Sequence, residues 1–391
     1  MIAAGKGAWM DSGDFASVLN TVRSFVREVV VPAEDLIEET DEIPEAIRRS
    51  AAEMGLFGYA LPQEYGGLGF GALEDARLAL EVGYTTPAFR SMFGTNNGIA
   101  GQVLVNFGTE RQKREFLPRM AEGECVAAFA LTESEAGSDP SGLRTRAVAD
   151  GGDYVINGQK RFITNANWSD ILLVFARTGG PGAEGISVFV VDTDTPGVTV
   201  GPRDKKMGQR GSTTAEIFLE DVRVPASRLV GEVENEGFAA AMRSLAKGRL
   251  HIAACCVGMA QRLVDESVSY AATAKQGGTT IGDFQQVQAM LAESQTDLLA
   301  GRALVLAAAG AYDDDTDRRI APSSAKLFCS EMVGRVADRA VQIHGGSGYV
   351  HGVPVERFYR DARLYRIYEG TSEVQKTIIA RQLLRAAAAQ R

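Results

Sequence analysis

Residues 148–155 of this 391-residue chain, Val-Ala-Asp-Gly-Gly-Asp-Tyr-Val, carry the pattern of a β-hairpin between two long helical regions. Two glycines between short apolar runs are typical of a tight turn that joins antiparallel strands. Apolar runs at 171–176 and 186–191 predict buried strands of the same domain, and Asn157-Gly158 predicts a second tight turn. The hairpin therefore lies within a predicted β-domain of roughly a hundred residues.

Helical patterns lie on both sides of this β-domain. Apolar residues recur at intervals of three and four from Phe15 to Val29, and again over 72–88, 94–106 and 109–121. Longer helices are predicted after the β-domain, over 238–274, 284–311, 323–344 and 372–388. We therefore predict an α+β, mainly α fold with an N-terminal helical domain (1–125), a middle β-barrel or sandwich domain (126–235) and a C-terminal four-helix bundle (236–391).

Composition and charge disfavour several classes of protein. The net charge of −9 disfavours nucleic acid or an anionic membrane surface as the main partner. Four cysteines without disulfide or metal-ligand spacing, and only three histidines, predict no metal site. No apolar run approaches the length of a membrane span, and Met1–Met10 lack the features of a secretory signal. We therefore expect a cytoplasmic protein in a reducing compartment.

Residues 363–373, Arg-Leu-Tyr-Arg-Ile-Tyr-Glu-Gly-Thr-Ser-Glu, contain the strongest candidate for a catalytic group. A helix that ends near Tyr368 and another that starts at Ser372 would leave Glu369 on the turn between them. A carboxylate among apolar and aromatic residues loses water and becomes a usable general base. The alternative is an ordinary surface glutamate in a helix–helix turn, and taken alone this stretch is more often that.

Three further segments have the composition of ligand-binding loops. Residues 129–139 run from a strand into a turn of small residues, whose N–H groups can approach a planar or anionic ligand. Residues 160–166 place the aromatic Phe162 beside the hydroxyl of Thr164. Residues 342–349 end a helix with adjacent glycines that can form an open nest for phosphate. Taken alone, each segment is more often a capped turn, a core aromatic or a helix end.

Together and in this order, the segments resemble the flavin-dependent acyl-CoA dehydrogenases from Phe15 to Arg381. The similarity is carried by four motifs at 131–139, 342–349, 354–363 and 368–373, with weaker support at 62–69 and 206–225. The resemblance implies FAD between the β-domain and the C-terminal bundle. It also implies α,β-dehydrogenation of an acyl-CoA, or another acyl thioester, to the trans-2-enoyl product. In that reaction Glu369 would be the catalytic base, and flavin N5 would accept the hydride.

The resemblance implies roles for residues around the cofactor and the substrate. The residues expected to contact FAD within one subunit are Phe129, Leu131, Thr132, Gly137, Ser138, Phe162, Ile163, Thr164, Gln285, Thr371 and Glu373. The residues expected to bind the ADP portion of FAD from a neighbouring subunit are Gln342, Gly345 and Gly346. A homodimer or homotetramer is therefore implied. The residues expected beside the acyl thioester are Ser138, Arg249 and Gly370.

This chain departs from the family pattern around the cofactor. The aromatic that stacks on the flavin is usually tryptophan, and Phe162 stands there. An arginine and a phenylalanine that contact FAD are replaced by Ala274 and Gly277, which predicts weaker FAD binding. Ala246 replaces an aspartate that touches CoA in some members, so both CoA and a carrier protein stay open as the thioester carrier.

Some members of the family carry the base on the long helix, just before the arginine that corresponds to Arg249. That position is Gly248 here, so Glu369 has no competitor. By resemblance, reduced flavin would pass electrons to an electron-transfer flavoprotein, in fatty acid metabolism. Two alternatives stay open: an acyl-CoA oxidase or flavin monooxygenase of the same fold, and a non-catalytic FAD-binding paralogue. The acyl chain length and branching are not predicted.

Overall fold

One mixed β-sheet interrupts an otherwise helical chain in the computed structural model, which describes residues 12–389. The order of helical, β and helical parts confirms the predicted fold class. The domain limits at 125/126 and 235/236 stay a prediction. The predicted lack of a secretory signal concerns Met1–Met10, which lie outside the described residues. None of the helices within 12–389 is both long and apolar enough to cross a membrane.

Seven α-helices precede the sheet in the described part of the chain. They are α1 (Ser12–Phe25), α2 (Glu34–Thr40), α3 (Glu45–Glu53), α4 (Ala72–Val82), α5 (Pro87–Gly94), α6 (Ala100–Phe107) and α7 (Glu110–Glu122). The single helix predicted over 72–88 is wrong, because α4 ends before Gly83 and Pro87 opens α5. A proline at the first helical position is well placed, since that N–H has no partner within a helix.

The sheet contains seven strands and packs on both of its faces. The strands are β1 (Ala127–Ala130), β2 (Arg146–Asp150), β3 (Asp153–Thr164), β4 (Ile171–Arg177), β5 (Ile186–Asp192), β6 (Val198–Val200) and β7 (Thr214–Pro225), in the order β1-β4-β2-β3-β7-β6 with β5 also on β4. Leu173 and Phe175 of β4 join the core shared with α6 and α7, whereas Leu172 and Val174 join the core of the sheet itself. Burial on both faces explains why β4 is apolar without alternation.

The predicted hairpin is confirmed, and the second predicted turn is wrong. Asp150 pairs with Asp153 across the turn between β2 and β3. Asn157-Gly158, in contrast, lies inside β3 at a shift in its pairing with β7. A Cβ at Gly158 would lie 2.5 Å from the Thr145 hydroxyl oxygen, so this glycine lets the strand pass close to Thr145.

Five helices follow the sheet, and the longest form the predicted bundle. They are α8 (Gly237–Thr273), α9 (Gln285–Asp313), α10 (Ile320–His344), α11 (Pro354–Ala362) and α12 (Ser372–Ala389). A small hairpin of β8 (Lys275–Gln276) and β9 (Thr279–Thr280) joins α8 to α9. Helix α10 packs on α8, α9 and α12, so its inward face lies at the centre of the bundle.

The loop 206–212 ties the sheet to both helical parts. The Gln209 backbone N–H donates to the Asp361 carboxylate of α11, and the Gly211 N–H donates to Asp41 over 2.6 Å. Gly208 permits this approach, because a Cβ there would lie 2.5 Å from Asp361 Oδ1. Burial raises the pKa of Asp361 to about 7, although the Gln209 hydrogen bond opposes the shift.

A buried ionic cluster joins the N-terminal helices to the C-terminal bundle. Glu34 of α2 is 2% exposed and accepts from Arg357 of α11 over 2.7 Å, from Arg262 of α8 over 3.3 Å and from Thr85 over 2.7 Å. Two guanidinium groups are therefore buried with one shared carboxylate. Removing that carboxylate would leave two buried cations without their shared counter-charge.

We expect Glu34→Ala to lower the free energy of unfolding by about 3–5 kcal/mol. Without Glu34, the two buried guanidinium groups keep only more exposed partners, Glu266 for Arg262 and Asp35 for Arg357. Urea denaturation of the full chain measures this loss. Glu42→Ala is the matched control, since Glu42 pairs with Arg203 where the side chains are 63% and 44% exposed. That change should alter stability by less than about 1 kcal/mol. Equal stability of the two variants would contradict a structural role for the cluster.

Candidate active site

Glu369 lies on a turn between two helices, in the position that the sequence predicts. A short 3-10 helix, Arg363–Arg366, ends before it, and α12 begins at Ser372. Glu369 has a φ of 56° and Gly370 a φ of 90°, so two consecutive residues are left-handed. This conformation is unusual for a glutamate and persists only where the surrounding structure holds it.

Two buried side chains hold the carbonyl groups of this turn. The Gln375 amide donates to the Glu369 oxygen over 3.2 Å and to the Gly370 oxygen over 3.0 Å. The Lys326 ammonium donates to the same Gly370 oxygen over 2.7 Å. The backbone N–H groups of Glu369 and Gly370, in contrast, have no acceptor among residues 12–389. Two donors are therefore available at the base of the Glu369 side chain.

The Glu369 carboxylate rests on helix α8 at a glycine. A Cβ at Gly248 would lie 2.7 Å from Glu369 Oε2 and 3.5 Å from Oε1. Oε2 is buried and has no hydrogen-bond partner within the described part of the chain. Buried polar atoms are nearly always paired, so an unpaired carboxylate oxygen indicates a position that a ligand completes.

Arg249 lies next to this contact and is 8% exposed. Burial lowers the pKa of Arg249, and the charge of Glu369 opposes that shift. Its Nε is buried and lacks a partner in the part of the chain that the structure describes. Glu369, Gly370 and Arg249, which the sequence assigns to the reaction, are therefore placed together.

A buried ion pair holds the loop at 131–139. The Lys160 ammonium of β3 is 0% exposed and lies 2.7 Å from Glu133 Oε1 and 3.3 Å from the Leu131 oxygen. The same carboxylate accepts from the Thr145 hydroxyl over 2.6 Å and from the Arg144 N–H over 2.6 Å. Burial alone would raise the pKa of Glu133, but Lys160 and these hydrogen bonds hold it below its ordinary value.

The outer part of the 131–139 loop remains accessible, beyond the buried Lys160–Glu133 pair. The Thr132 oxygen accepts from the Arg161 N–H over 2.9 Å, which joins the loop to β3. Phe129 packs on Phe175 with ring centroids 4.7 Å apart. Gly137 and Ser138 are exposed, and Leu131 is buried. The loop therefore presents backbone and a hydroxyl rather than bulky side chains.

Phe162 is the exposed aromatic of the site. It has a φ of 58° and is 58% exposed, and the Arg161 guanidinium lies 4.8 Å from the centre of its ring. A shift in the β3–β7 pairing between Lys160 and Ile163 turns the ring out of the sheet. The Ile163 side chain is 2% exposed and lies in the sheet core, so its backbone is the part open to a ligand. Thr164 is partly exposed at the strand end.

The remaining predicted cofactor residues lie on the bundle. Gln285 is the exposed first residue of α9, and Gln342 is exposed in the last turn of α10. Gly345, with a φ of 57°, and Gly346 follow in an exposed turn. The other two lie at the start of α12, where Thr371 accepts from the Val374 N–H over 3.2 Å and Glu373 is exposed.

Sequence reasoning missed the residues that support the site from behind. Lys326, Gln375 and the pair of Glu133 and Lys160 were not predicted. One signal for Lys326 was available, because it stands on an otherwise apolar stripe of α10. That buried stripe is Pro322, Lys326, Cys329, Val333 and Val336. A lysine at an inward helical position is rarely buried without a specific partner.

Comparison with known proteins identifies the family. Residues 14–124, 128–222 and 235–384 match the N-terminal, middle and C-terminal domains of acyl-CoA dehydrogenases. The chain therefore belongs to the acyl-CoA dehydrogenase family. It is a flavin-dependent oxidoreductase, and FAD is the cofactor of this family.

Relatives align over most of their length. A probable acyl-CoA dehydrogenase of Bacillus subtilis is 42% identical over 94% of this chain and 97% of its own length. The CarC subunit of the caffeyl-CoA reductase-Etf complex of Acetobacterium woodii is 39% identical over 92% and 95%. A glutaryl-CoA dehydrogenase of Mycobacterium smegmatis, solved in complex with FADH2, is 30% identical, with a TM-score of 0.90 over 96% and 95%.

The residues of the site fit FAD. A planar ring system can stack on the exposed face of Phe162. The backbone at Gly137 is open to close approach by a ligand. Apart from its chain neighbours, no described atom lies within 4 Å of the position that a Cβ would occupy there. On the bundle, the buried Oε2 of Glu369 is a hydrogen-bond acceptor without a partner among the described residues.

We expect Lys160→Met to weaken FAD retention and to lower the free energy of unfolding by about 3–5 kcal/mol, because Glu133 then stays buried without its cation. Urea denaturation and the visible absorbance of bound flavin measure these effects. The deficit should shrink as the pH falls through the range where Glu133 takes up a proton, since a neutral carboxyl needs no counter-charge.

The control for this change is Arg144→Met. It removes the ion pair between Arg144 and Glu135 of the same loop, and these two side chains are 78% and 68% exposed. It should leave both flavin content and stability near those of the unmodified protein. Normal flavin content in Lys160→Met would show that the buried pair does not support the cofactor loop.

Proposed function

We propose that this protein catalyses the α,β-dehydrogenation of an acyl-CoA to the trans-2-enoyl-CoA, with Glu369 as the catalytic base. The observation that carries the proposal is the buried, unpaired Oε2 of Glu369 on its left-handed turn. A carboxylate oxygen without a hydrogen bond retains its lone pairs for a proton, and proton removal from the α-carbon is the step that requires such a base.

The chain supplies three functions to this reaction. Glu369 takes the α-proton of the thioester. The backbone N–H groups of Glu369 and Gly370, which have no acceptor among the described residues, are positioned to donate to the thioester oxygen as negative charge develops there. Arg249 adds a fixed positive charge beside the carboxylate. Bound FAD supplies the acceptor for the hydride that leaves the β-carbon.

We assign the cofactor to the surface formed by Phe129, Leu131, Thr132, Gly137, Ser138, Phe162, Ile163 and Thr164, with Gln285, Thr371 and Glu373 on the bundle. Ser138 would also lie beside the substrate. Support for this assignment comes from the exposure of Gly137, Ser138 and Phe162. The Lys160–Glu133 ion pair, which joins the loop of Gly137 and Ser138 to the strand of Phe162, also supports it. The exclusion of water by a bound acyl chain would strengthen each of these electrostatic contacts.

Partners are assigned by the same reasoning. Gln342, Gly345 and Gly346 are exposed at the end of α10, which suits contact with FAD held by a second copy of the chain in a homodimer or homotetramer. An electron-transfer flavoprotein is the proposed electron acceptor, because the Acetobacterium woodii relative is a subunit of a complex with such a protein.

The opposite direction of reaction is a second candidate. The Acetobacterium woodii relative, 39% identical, is a caffeyl-CoA reductase subunit. By microscopic reversibility, a protonated Glu369 would return the proton to the α-carbon of an enoyl thioester. Two anaerobic experiments separate the directions. The oxidised protein is mixed with acyl-CoA, and the pre-reduced protein is mixed with enoyl-CoA. The direction in which the flavin absorbance changes faster is the favoured one.

We expect Glu369→Gln to keep bound FAD and to cut turnover by about 10³-fold or more, because the amide cannot take a proton. The rate at which acyl-CoA bleaches the flavin under anaerobic conditions measures the effect. Flavin content and thermal unfolding of the variant confirm that its fold is intact. Near-normal bleaching would reject Glu369 as the base and with it the proposed mechanism.

We expect Gly248→Ala to lower turnover by roughly 10²-fold with little loss of stability. The added methyl group would lie 2.7 Å from Glu369 Oε2, and the end of that flexible side chain can rotate away at small cost to folding. Steady-state turnover and urea denaturation test the two parts separately.

The control for this variant is Gly310→Ala, at a position on α9 where no described atom lies within 4 Å of the added methyl group apart from the helix backbone and chain neighbours. That change should leave turnover unaltered and stabilise the helix slightly. Unchanged turnover in Gly248→Ala would contradict the packing of the catalytic carboxylate on α8.

A further inference from the structure

Lys326 is a fully buried lysine directly behind the Glu369 turn. It projects from the inward face of α10, is 0% exposed, and donates to the Gly370 oxygen over 2.7 Å. Among residues 12–389, its ammonium forms no ion pair with a carboxylate. A buried charge without a direct counter-ion is costly, so a specific role for it is expected.

The charged and titratable groups around Lys326 come from three elements. Glu369 lies on the turn, Arg249 and Cys256 lie on α8, and Glu331 lies on α10. The Cys256 thiol is fully buried, and burial raises its pKa well above the ordinary value, so it stays neutral. Arg249 is itself a cation.

Glu331 is already engaged elsewhere. It accepts from the Ser372 hydroxyl over 2.6 Å and from the Arg366 guanidinium over 3.2 Å. Glu369, in contrast, has a carboxylate oxygen without any partner in the described part of the chain. The Glu369 charge also acts on two guanidinium groups, those of Arg249 on α8 and Arg90 on α5, so Lys326 is one of three cations around it.

We propose that Lys326 is a positioning residue for the base: it anchors the Glu369–Gly370 turn through the Gly370 carbonyl and places a positive charge that acts on the Glu369 carboxylate. This inference rests on the proposed role of Glu369.

The anchor acts on geometry. With the Gly370 carbonyl held by Lys326 and Gln375, the left-handed turn can direct the Glu369 side chain over Gly248 and leave the two N–H groups free. Loss of the ammonium would release one of the two contacts that oppose relaxation of the turn. A displacement of about 1 Å at a reacting group can reduce turnover about 10²-fold.

The charge acts on protonation. Proton removal requires the carboxylate form of Glu369, and a nearby cation favours the charged form of a carboxyl group. Burial lowers the pKa of Lys326 to about 8, while the charge of Glu369 opposes that shift. The ammonium form therefore predominates at neutral and acidic pH, so its positive charge is present there beside the Glu369 carboxylate.

The two effects are separable by substitution. Lys326→Met removes both the donor and the charge, whereas Lys326→Gln keeps a donor and removes the charge. Lys376→Met is the control, because Lys376 is an exposed lysine of α12 whose charge acts on Glu331 and Glu373 at the same turn. The pH dependence of kcat is measured for each holoenzyme with octanoyl-CoA, or with butyryl-CoA if octanoyl-CoA is not turned over.

We expect both Lys326 variants to shift the acidic limb of the kcat profile upward by about one pH unit. Lys326→Met should also lower the plateau of kcat by about 10²-fold, and Lys326→Gln should retain more of it. Lys376→Met should match the unmodified protein. Flavin content and thermal unfolding are recorded for every variant. If Lys326→Met does not fold, the kcat profile of Lys326→Gln alone tests the role of the lysine.

An acidic limb at its normal pH in both Lys326 variants would overturn the proposal. So would an equal loss of kcat at every pH together with a lower unfolding temperature, since that pattern reports only structural damage. The parent proposal fails independently, through near-normal turnover of Glu369→Gln. A dead Glu369→Gln with unaltered Lys326 variants rejects the role of the lysine alone.

Discussion

The site depends on one constraint: buried side chains hold the carbonyl groups of a left-handed turn, while its N–H groups find no acceptor within residues 12–389. Gln375 and Lys326 bind the oxygens of Glu369 and Gly370, so the backbone cannot relax into the right-handed conformation that a glutamate prefers. The carboxylate is thereby directed onto Gly248, where its Oε2 is buried without a hydrogen-bond partner in the described part of the chain. The unpaired oxygen and the unpaired N–H groups follow from the same restraint.

The other buried charges fix the position of this turn relative to the rest of the chain. Glu34 joins α2 to α8 and α11, and α11 leads directly into the turn. The loop at 206–212 fixes the same helix from the β-domain side, through the Gln209 N–H and Asp361. Lys160 and Glu133 hold the opposing loop at 131–139. Buried ion pairs of this kind contribute little net stability, but breaking them leaves uncompensated charge, so they specify one arrangement.

The sequence predicted the fold class, the long helices and the turn at Glu369, because helical periodicity and the capping residues at 370–372 are local signals. It did not predict that Asn157-Gly158 lies inside a strand, since the pairing shift that makes room there depends on Thr145 and β7. The outward ring of Phe162 has the same origin in a shifted strand register. The apolar stripe of α10 marks Lys326 as unusual, but its role could not be predicted, because its partner is a backbone oxygen 44 residues away. The assignments of FAD residues stay predictions.

The contact between Gly248 and Glu369 also limits how this active site can change during evolution. A side chain at position 248 would displace the Glu369 carboxylate from its present place on α8, since the added Cβ would lie 2.7 Å from Oε2. Substitutions at these two positions are therefore not independent. A carboxylate placed on the helix at 248 would compete with Glu369 for the same space, so we expect such a change to be accompanied by loss of the carboxylate at 369.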